Sequence, residues 1–513
     1  MAAKKIPPLD LMFFMMETQA NPKHVAGVQI FQLPRATPRH YLRDLVQAYR
    51  QAPIAPPFNY RPHFPRTGMP TWVEVQDQDM DYHVRHVALP APGSDEQLLE
   101  MIAGLHSGML DRTQSGWFCV VVEGLSGGRF AIYTKIHHAY VDGISAIKRM
   151  GLSLAASPDN TDIVPIWSHQ AHAHGGKQKR GVLAAVDRGS HLAAAQVKAV
   201  REIYMAFAKM GLHLLKLHTS KVQVPFAAPR TRMNLPVAHD TRSVAICSLP
   251  LDRARQVAAK QGGKLNDVVL TLVDAALNDY LAAHAETPAE PLVALCPMSI
   301  REAGDDSAST KVASILIRMG EPAVSVGERF AQVVESATLS KQDARAMSRD
   351  GLMDYALVLA GLGETLELSG LDQTLSPSYN VLISNVPGPG EGELYLAGAR
   401  MLGSYPISTL LPGANLNATV VTQGNSIDFG LLADKHALPD ANTIARSIES
   451  RFAELDTLLL GRKKTGSKAK PKPKPKPKPK PKPKPKPKPK PKPKAKSKLK
   501  SKESVTKGGA RQR

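Results

Sequence analysis

Apolar residues in this chain fall into short runs broken by glycine, proline and charge, and their spacing predicts a mixed α/β chain. Phe118–Glu123 and Arg129–His138 read as two strands around a turn at Gly124–Gly128. The core of the second, Phe130–Ile136 (FAIYTKI), has the β-branched and aromatic content and the length of a buried strand. An apolar-patterned helix starts at Ile144. Further on, a turn at Gly262-Gly263 opens a helix over Lys264–Ala283, strands follow around Leu292–Cys296 and Tyr379–Ser384, and a helix occupies Ala441–Leu460. About 460 residues normally exceed one hydrophobic core, so two domains are expected, 1–175 and 225–460. A helical connector over 176–224, mixing Ala, Leu and Met with Lys and Arg, joins them. It reads as an interdomain strut or, second, as a basic amphipathic helix facing a membrane.

Charge changes this picture only at the end of the chain. The formal net charge is +21. Residues 461–513 hold 24 Lys+Arg and one acidic residue, which leaves the first 460 residues near −2. A globally basic nucleic-acid-binding protein is therefore the wrong reading. From Lys470 to Lys494 lysine and proline alternate, which removes backbone donors and predicts a disordered, polyproline-II-like tail. Its 25 positions reach about 75 Å at ~3.1 Å per residue. Such a tail solubilises, or tethers the chain to an anionic lipid surface at about 1 kcal/mol per lysine. The absence of interleaved aromatics argues against nucleic acid.

The three cysteines, Cys119, Cys247 and Cys296, are odd in number and lack metal spacing, which fits a reducing cytosol. No apolar run approaches the ~18–20 residues that cross a bilayer. Pro7, Pro8 and Asp10 interrupt any signal-peptide core after Lys4 and Lys5. The expected location is cytoplasmic, peripheral to the inner membrane or to lipid inclusions.

The chemistry concentrates at the end of the FAIYTKI strand, in His137-His138-Ala-Tyr-Val-Asp142-Gly143. Successive strand side chains point to opposite faces, so the two histidines cannot share a pocket. One can act as a general base while the other holds structure. Asp142 can orient the loop, and Gly143 permits a tight turn into the helix.

HHxxxDG resembles the active-site motif of CoA-dependent acyltransferases. The chain as a whole is similar to the bacterial wax ester synthase/diacylglycerol acyltransferase family, through residues 8–31 (PLDLMFFMMETQANPKHVAGVQIF), 81–93 (DYHVRHVALPAPG), LDR at Leu110–Arg112, LNDVVL at Leu265–Leu270, CPMSIR at Cys296–Arg301 and SNVPGPG at Ser384–Gly390. The resemblance covers roughly residues 8–460. It implies two chloramphenicol-acetyltransferase-like α/β domains with a central channel. It also implies transfer of a fatty acyl group from acyl-CoA, a co-substrate with no permanently bound cofactor, to a long-chain alcohol or diacylglycerol. His138 is then the base and His137 its support. Asp142 is a structural partner of an arginine, with Arg301 the candidate. Asn266 aims its amide at the reacting centre from a helix N-terminus, Asp267 is structural, and Asn385, Pro387 and Gly388 lie near the channel and CoA.

Ser115-Gly116-Trp117 departs from the family's Pro-Leu-Trp, a change that bears on substrate detail. Three patterns are decoys. Gly124-Leu-Ser126-Gly-Gly128 matches a hydrolase nucleophile elbow but lies between strands rather than between strand and helix. His169, His172 and His174 have no cysteine or carboxylate at ligand spacing, so no metal site is expected. Gly388 and Gly390 belong to a proline-rich loop and form no dinucleotide fingerprint. Two rival functions share the motif or the tail: a condensation-like or polyketide-associated acyltransferase using carrier-bound substrates, and a non-catalytic lipid-body surface protein.

Overall fold

A computed structural model describes residues 4–170, 223–299, 312–347 and 373–461, apart from positions 36, 238–239 and 391, together with scattered positions between 359 and 370. The expected connector lies almost wholly outside the described residues, as do Arg301, His172, His174 and the Lys-Pro tail.

The first hairpin forms where its pattern placed it. Trp117–Leu125 and Arg129–His137 pair antiparallel. At the turn, Gly127 and Gly128 take φ of +75° and +67°, a region that glycine enters without a Cβ penalty. Both strands are buried along most of their length, which is why their sequences run continuously apolar instead of alternating. Arg129–His137 pairs on its other edge with His24–Gln32, in a register that sets His137 opposite His24. The motif therefore leaves the end of an interior strand.

That strand belongs to a six-stranded sheet in the order Tyr395–Leu396, Ala399–Ile407, His24–Gln32, Arg129–His137, Trp117–Leu125, Val84–Ala88. A second six-stranded sheet runs Val312–Arg318, Val293–Ser299, Val381–Val386, Leu416–Gln423, Ser426–Asp434, Arg242–Pro250. The helices Leu251–Lys260, Leu265–Ala283, Val326–Ala346 and Ala441–Leu460 cover the second sheet and bury its largest apolar cluster. A small three-stranded sheet joins Lys4–Lys5, Thr71–Glu74 and Tyr60–His63.

The boundary drawn near residue 225 does not separate the two sheets. Ala399–Ile407 comes from the second half of the chain, yet it pairs with His24–Gln32 as a strand of the first sheet. The halves also share apolar packing, since Val244 and Leu432 sit in one cluster with Leu98, Val120 and Tyr133. The described residues up to Gly461 belong to one compact unit.

The crossing strand is pressed against the second sheet as well. Asp428 accepts from the Ser404 backbone N–H at 2.9 Å and from the Ser248 hydroxyl at 2.7 Å. A Cβ added at Gly430 would stand 1.8 Å from the carbonyl oxygen of Pro406. Gly430→Ala is expected to force these backbones apart and to cost about 1–3 kcal/mol, the usual range for overpacking. Urea unfolding of the variant should show a lower midpoint, and an unchanged midpoint would disprove the close approach.

Candidate active site

Arg129–His137 ends in a short turn, and Asp142 then caps the helix Gly143–Leu152 by accepting from the Ser145 N–H at 2.7 Å. Asp142 thus fixes where the helix begins, as an N-cap aspartate does. Gly143 departs from expectation. Its φ is not left-handed, and an added Cβ would meet only Val386 at 3.8 Å. Its missing side chain opens space at the helix start rather than permitting a turn.

The two histidines diverge as strand alternation requires. His137 is buried, its Nδ1 accepts from the Ala139 N–H at 3.2 Å, and its Nε2 lies 3.6 Å from Glu17 Oε1. That last separation is ion-pair range rather than a hydrogen bond. Its ring stacks on Phe14 with centroids 4.1 Å apart. His138 stacks on the preceding residue, Phe13, at 4.2 Å. Adjacent phenyl rings thus clamp adjacent imidazoles. The His138 backbone N–H donates to the Lys23 carbonyl at 2.9 Å. Its Nδ1 is enclosed without a full hydrogen bond, which leaves Nε2 as the nitrogen available to the cavity beside it.

That cavity has a volume of about 580 Å³, within the span of about 300–1,000 Å³ typical of ligand sites. Its lining is mainly apolar, with Ile132, Ile136, Ile147 and Leu382 among its walls, and Ser384, Asn385, Ser408 and Thr409 adding polar groups. Burial pushes His138 down to about 4, its own backbone carbonyl and Asp142 pull the other way, and His137 adds to the lowering. His138 is half-buried and lines the cavity. Cys119 also lines this space, but burial pushes its thiol up to about 12, so it stays protonated and is a poor nucleophile.

Glu17 is the residue that the motif reading missed. Its buried carboxylate accepts from Arg112 Nε at 3.3 Å and Nη2 at 3.0 Å and from the Lys23 backbone N–H at 3.1 Å, and it faces His137. Burial alone would raise its pKa. His137 and Arg112 outweigh burial and hold the carboxyl below its ordinary range. Arg112 also donates to the Phe14 carbonyl at 2.8 Å, tying down the helix Pro8–Met15. The signal was in the segments that carried the family likeness, METQANPK and LDR, but nothing local says that they meet. Burial, then the neighbouring Asp142 carboxylate, push Asp10 up to about 6 against the pull of Lys4.

The remaining candidates divide. Asn385 and Pro387 line the cavity. Gly388 does not; its Cβ would fall 1.5 Å from the Thr422 carbonyl, so glycine serves close backbone packing there. Asn266 is half-buried at the start of Leu265–Ala283 and is not in the cavity wall. Asp267 is buried, accepts from the Lys264 N–H at 2.8 Å and pairs with Lys341 at 3.2 Å. The departure at Gly116 has a steric cause: a Cβ there would stand 2.7 Å from the Tyr140 ring, whose hydroxyl accepts from the Gly116 N–H at 2.8 Å. The Gly124–Gly128 decoy is a hairpin turn. Among the described residues no three His, Cys, Asp or Glu side chains group as metal ligands, and no helix is long and apolar enough to cross a membrane.

The wax ester synthase/diacylglycerol acyltransferase catalytic domain matches residues 6–269, and the C-terminal domain of the same family matches residues 309–456. The chain belongs to this family. It is an acyltransferase, and its relatives fit end to end. A probable diacylglycerol O-acyltransferase, Tgs4, of Mycobacterium tuberculosis is 34% identical over 91% of this chain and 99% of its own length. The O-acyltransferase WSD of Acinetobacter baylyi is 33% identical over 88% and 96%. The solved wax ester synthase/diacylglycerol acyltransferase of Marinobacter aquaeolei VT8 superposes with a TM-score of 0.70 at 30% identity, covering 89% of this chain and 99% of that one. A condensation domain of the calcium-dependent antibiotic synthetase superposes at a TM-score of 0.55 with 15% identity over 90% and 97%, which shows a common mixed α/β fold alone.

Within this family member, the Glu17 network links stability to pH with a definite sign. A carboxyl held below its ordinary 4.5 in the folded state contributes fully above that value, and the contribution is lost as pH falls through the folded pKa. Glu17→Gln is expected to lower stability at pH 7 by about 1–3 kcal/mol, the range for a charged hydrogen-bonding group. The gap to the parent should narrow in unfolding curves taken below pH 4.5. A gap independent of pH would refute the assignment.

Proposed function

We propose that this enzyme transfers a fatty acyl group from acyl-CoA to the hydroxyl of a long-chain alcohol or diacylglycerol, forming wax esters or triacylglycerols, with His138 as general base. The observation that carries this reading is one imidazole edge opening into a 580 Å³ greasy cavity at a motif shared by CoA-dependent acyltransferases. The two chloramphenicol-acetyltransferase-like halves, residues 1–175 and 225–460, flank this cavity as a central channel, with Ala399–Ile407 crossing between them.

In the proposed step, His138 Nε2 takes the proton of the acceptor hydroxyl as its oxygen attacks the thioester carbonyl. The tetrahedral oxyanion then collapses, the C–S bond breaks, and the departing thiolate takes the proton from the imidazolium. Desolvation pushes the ring down to about 4, so it is unprotonated at pH 7 with its lone pair free, at the cost of base strength. Ser384 and Asn385 are wall groups able to donate to the oxyanion. Pro387 shapes the wall, while Asn266 and Gly388 act at one remove, through the helix start and the loop. His137, Glu17 and Arg112 hold the turn that aims His138. Burying a 16-carbon chain at ~0.8 kcal/mol per methylene yields on the order of 12 kcal/mol gross, enough to fix the thioester against the base. Acceptors this apolar reside in membranes and lipid inclusions, so the reaction belongs at such a surface.

Purified protein given palmitoyl-CoA with hexadecanol or dioleoylglycerol should release CoA and form ester. His138→Ala should lower kcat/KM by about 10²–10⁴-fold while circular dichroism stays unchanged. Near-normal turnover would overturn the base. The pH profile is a separate check: kcat/KM should stay level from pH 8 to about 5, falling only as pH nears 4. An acid limb at 6.5 would mean that the base is solvated.

A further inference from the structure

A second cavity of about 190 Å³ lies beside the one that holds His138. Its walls include Met16, Lys23, Phe226, Leu295 and Leu316, and it shares Phe13, Thr409 and Leu411 with the larger cavity. Those three residues are therefore the partition between the two spaces. Two of them are fixed. Thr409 donates its hydroxyl to the Pro22 carbonyl at 2.9 Å, its backbone carbonyl accepts from Asn417 Nδ2 at 2.7 Å, and Leu411 bridges to Ala414 through the backbone. Phe13 has no polar tether. Its ring stacks on His138 and packs, half-buried, against the apolar cluster of the first sheet, so apolar contact alone holds it.

We propose that Phe13 separates an acyl compartment from an acceptor compartment and sets how bulky an alcohol can bring its hydroxyl to His138. The proposal rests on the acyl-transfer reading above. The larger cavity, into which His138 opens, takes the acyl chain. The smaller one is one residue from the base through the Lys23 carbonyl, which accepts the His138 N–H, and it takes the part of the acceptor next to its hydroxyl, the rest of the hydrocarbon lying outside. With the phenyl ring stacked, a primary alcohol on a single chain slides past its edge. A diacylglycerol hydroxyl is flanked by two ester-linked chains, so the ring must swing off the imidazole to admit it. The same ring keeps water in the smaller cavity from the thioester. Without it, water replaces the alcohol as the attacking oxygen and the products are free fatty acid and CoA.

The experiment compares the parent enzyme with Phe13→Ala, Phe13→Leu and Phe13→Trp, each given palmitoyl-CoA and both acceptors. The readouts are the ratio of kcat/KM for dioleoylglycerol to that for hexadecanol, and CoA release with no acceptor. Phe13→Ala should raise the ratio about ten-fold, in line with what a changed apolar pocket discriminates, and should raise acceptor-free hydrolysis. Phe13→Leu should fall between it and the parent. Phe13→Trp should shift the ratio the opposite way, and decides the matter if the alanine variant does not fold. If both acceptors lose kcat/KM equally and the ratio stays within about two-fold across the series, Phe13 only packs against the base and the proposal is wrong. A parent enzyme that makes no ester with either acceptor would instead sink the acyl-transfer reading beneath it.

Discussion

Two adjacent imidazoles, taken out of water by two adjacent phenyl rings, are the constraint on which this site depends. Strand alternation sends His137 and His138 to opposite sides, and the helix Pro8–Met15 supplies one ring to each. A histidine in water is half-charged near neutrality. Here burial holds His138 uncharged, and its lone pair remains available. Desolvation alone does not aim the ring. Aim comes from the His137 side, where Glu17 and Arg112 bind the turn to the N-terminal helix and to the loop after Asp95–Ser107. One histidine is kept dry for chemistry, and the other is packed beside the Glu17–Arg112 pair.

Much of this was legible in the sequence because it is local. The hairpin before the motif, the helix over Ala441–Leu460 and the helix beginning at Leu265 each follow from a run of apolar spacing ended by glycine or charge. The divergence of the two histidines follows from the pleat. What was not legible is what depends on segments meeting. Glu17 and Arg112 are 95 positions apart and make their pair only after the sheet has formed. Asn266 was drawn towards the site by its place at a helix N-terminus, yet that helix start does not reach the cavity wall. The crossing of Ala399–Ile407 into the first sheet leaves no mark on its own composition, because a strand of nine residues looks the same whichever sheet receives it.

Gly116, Gly388 and Gly430 show a related limit. Each is an ordinary glycine in the sequence, and each turns out to mark a place where another group comes too close for a methyl. At Gly116 that group is the Tyr140 ring, whose hydroxyl accepts from the Gly116 N–H, so this glycine and this tyrosine are two sides of one packing solution.

The crossing strand has a consequence for how the chain is made. Until residue 407 has been synthesised, His24–Gln32 has no partner on one edge, although Arg129–His137 already occupies the other. At about 5–20 residues per second the ribosome takes roughly 15–55 s to pass from His137 to Ile407. Throughout that interval the nascent chain carries an open edge without lysine or proline to blunt it. Birth of this enzyme therefore includes a period in which that edge is open to pairing with another strand.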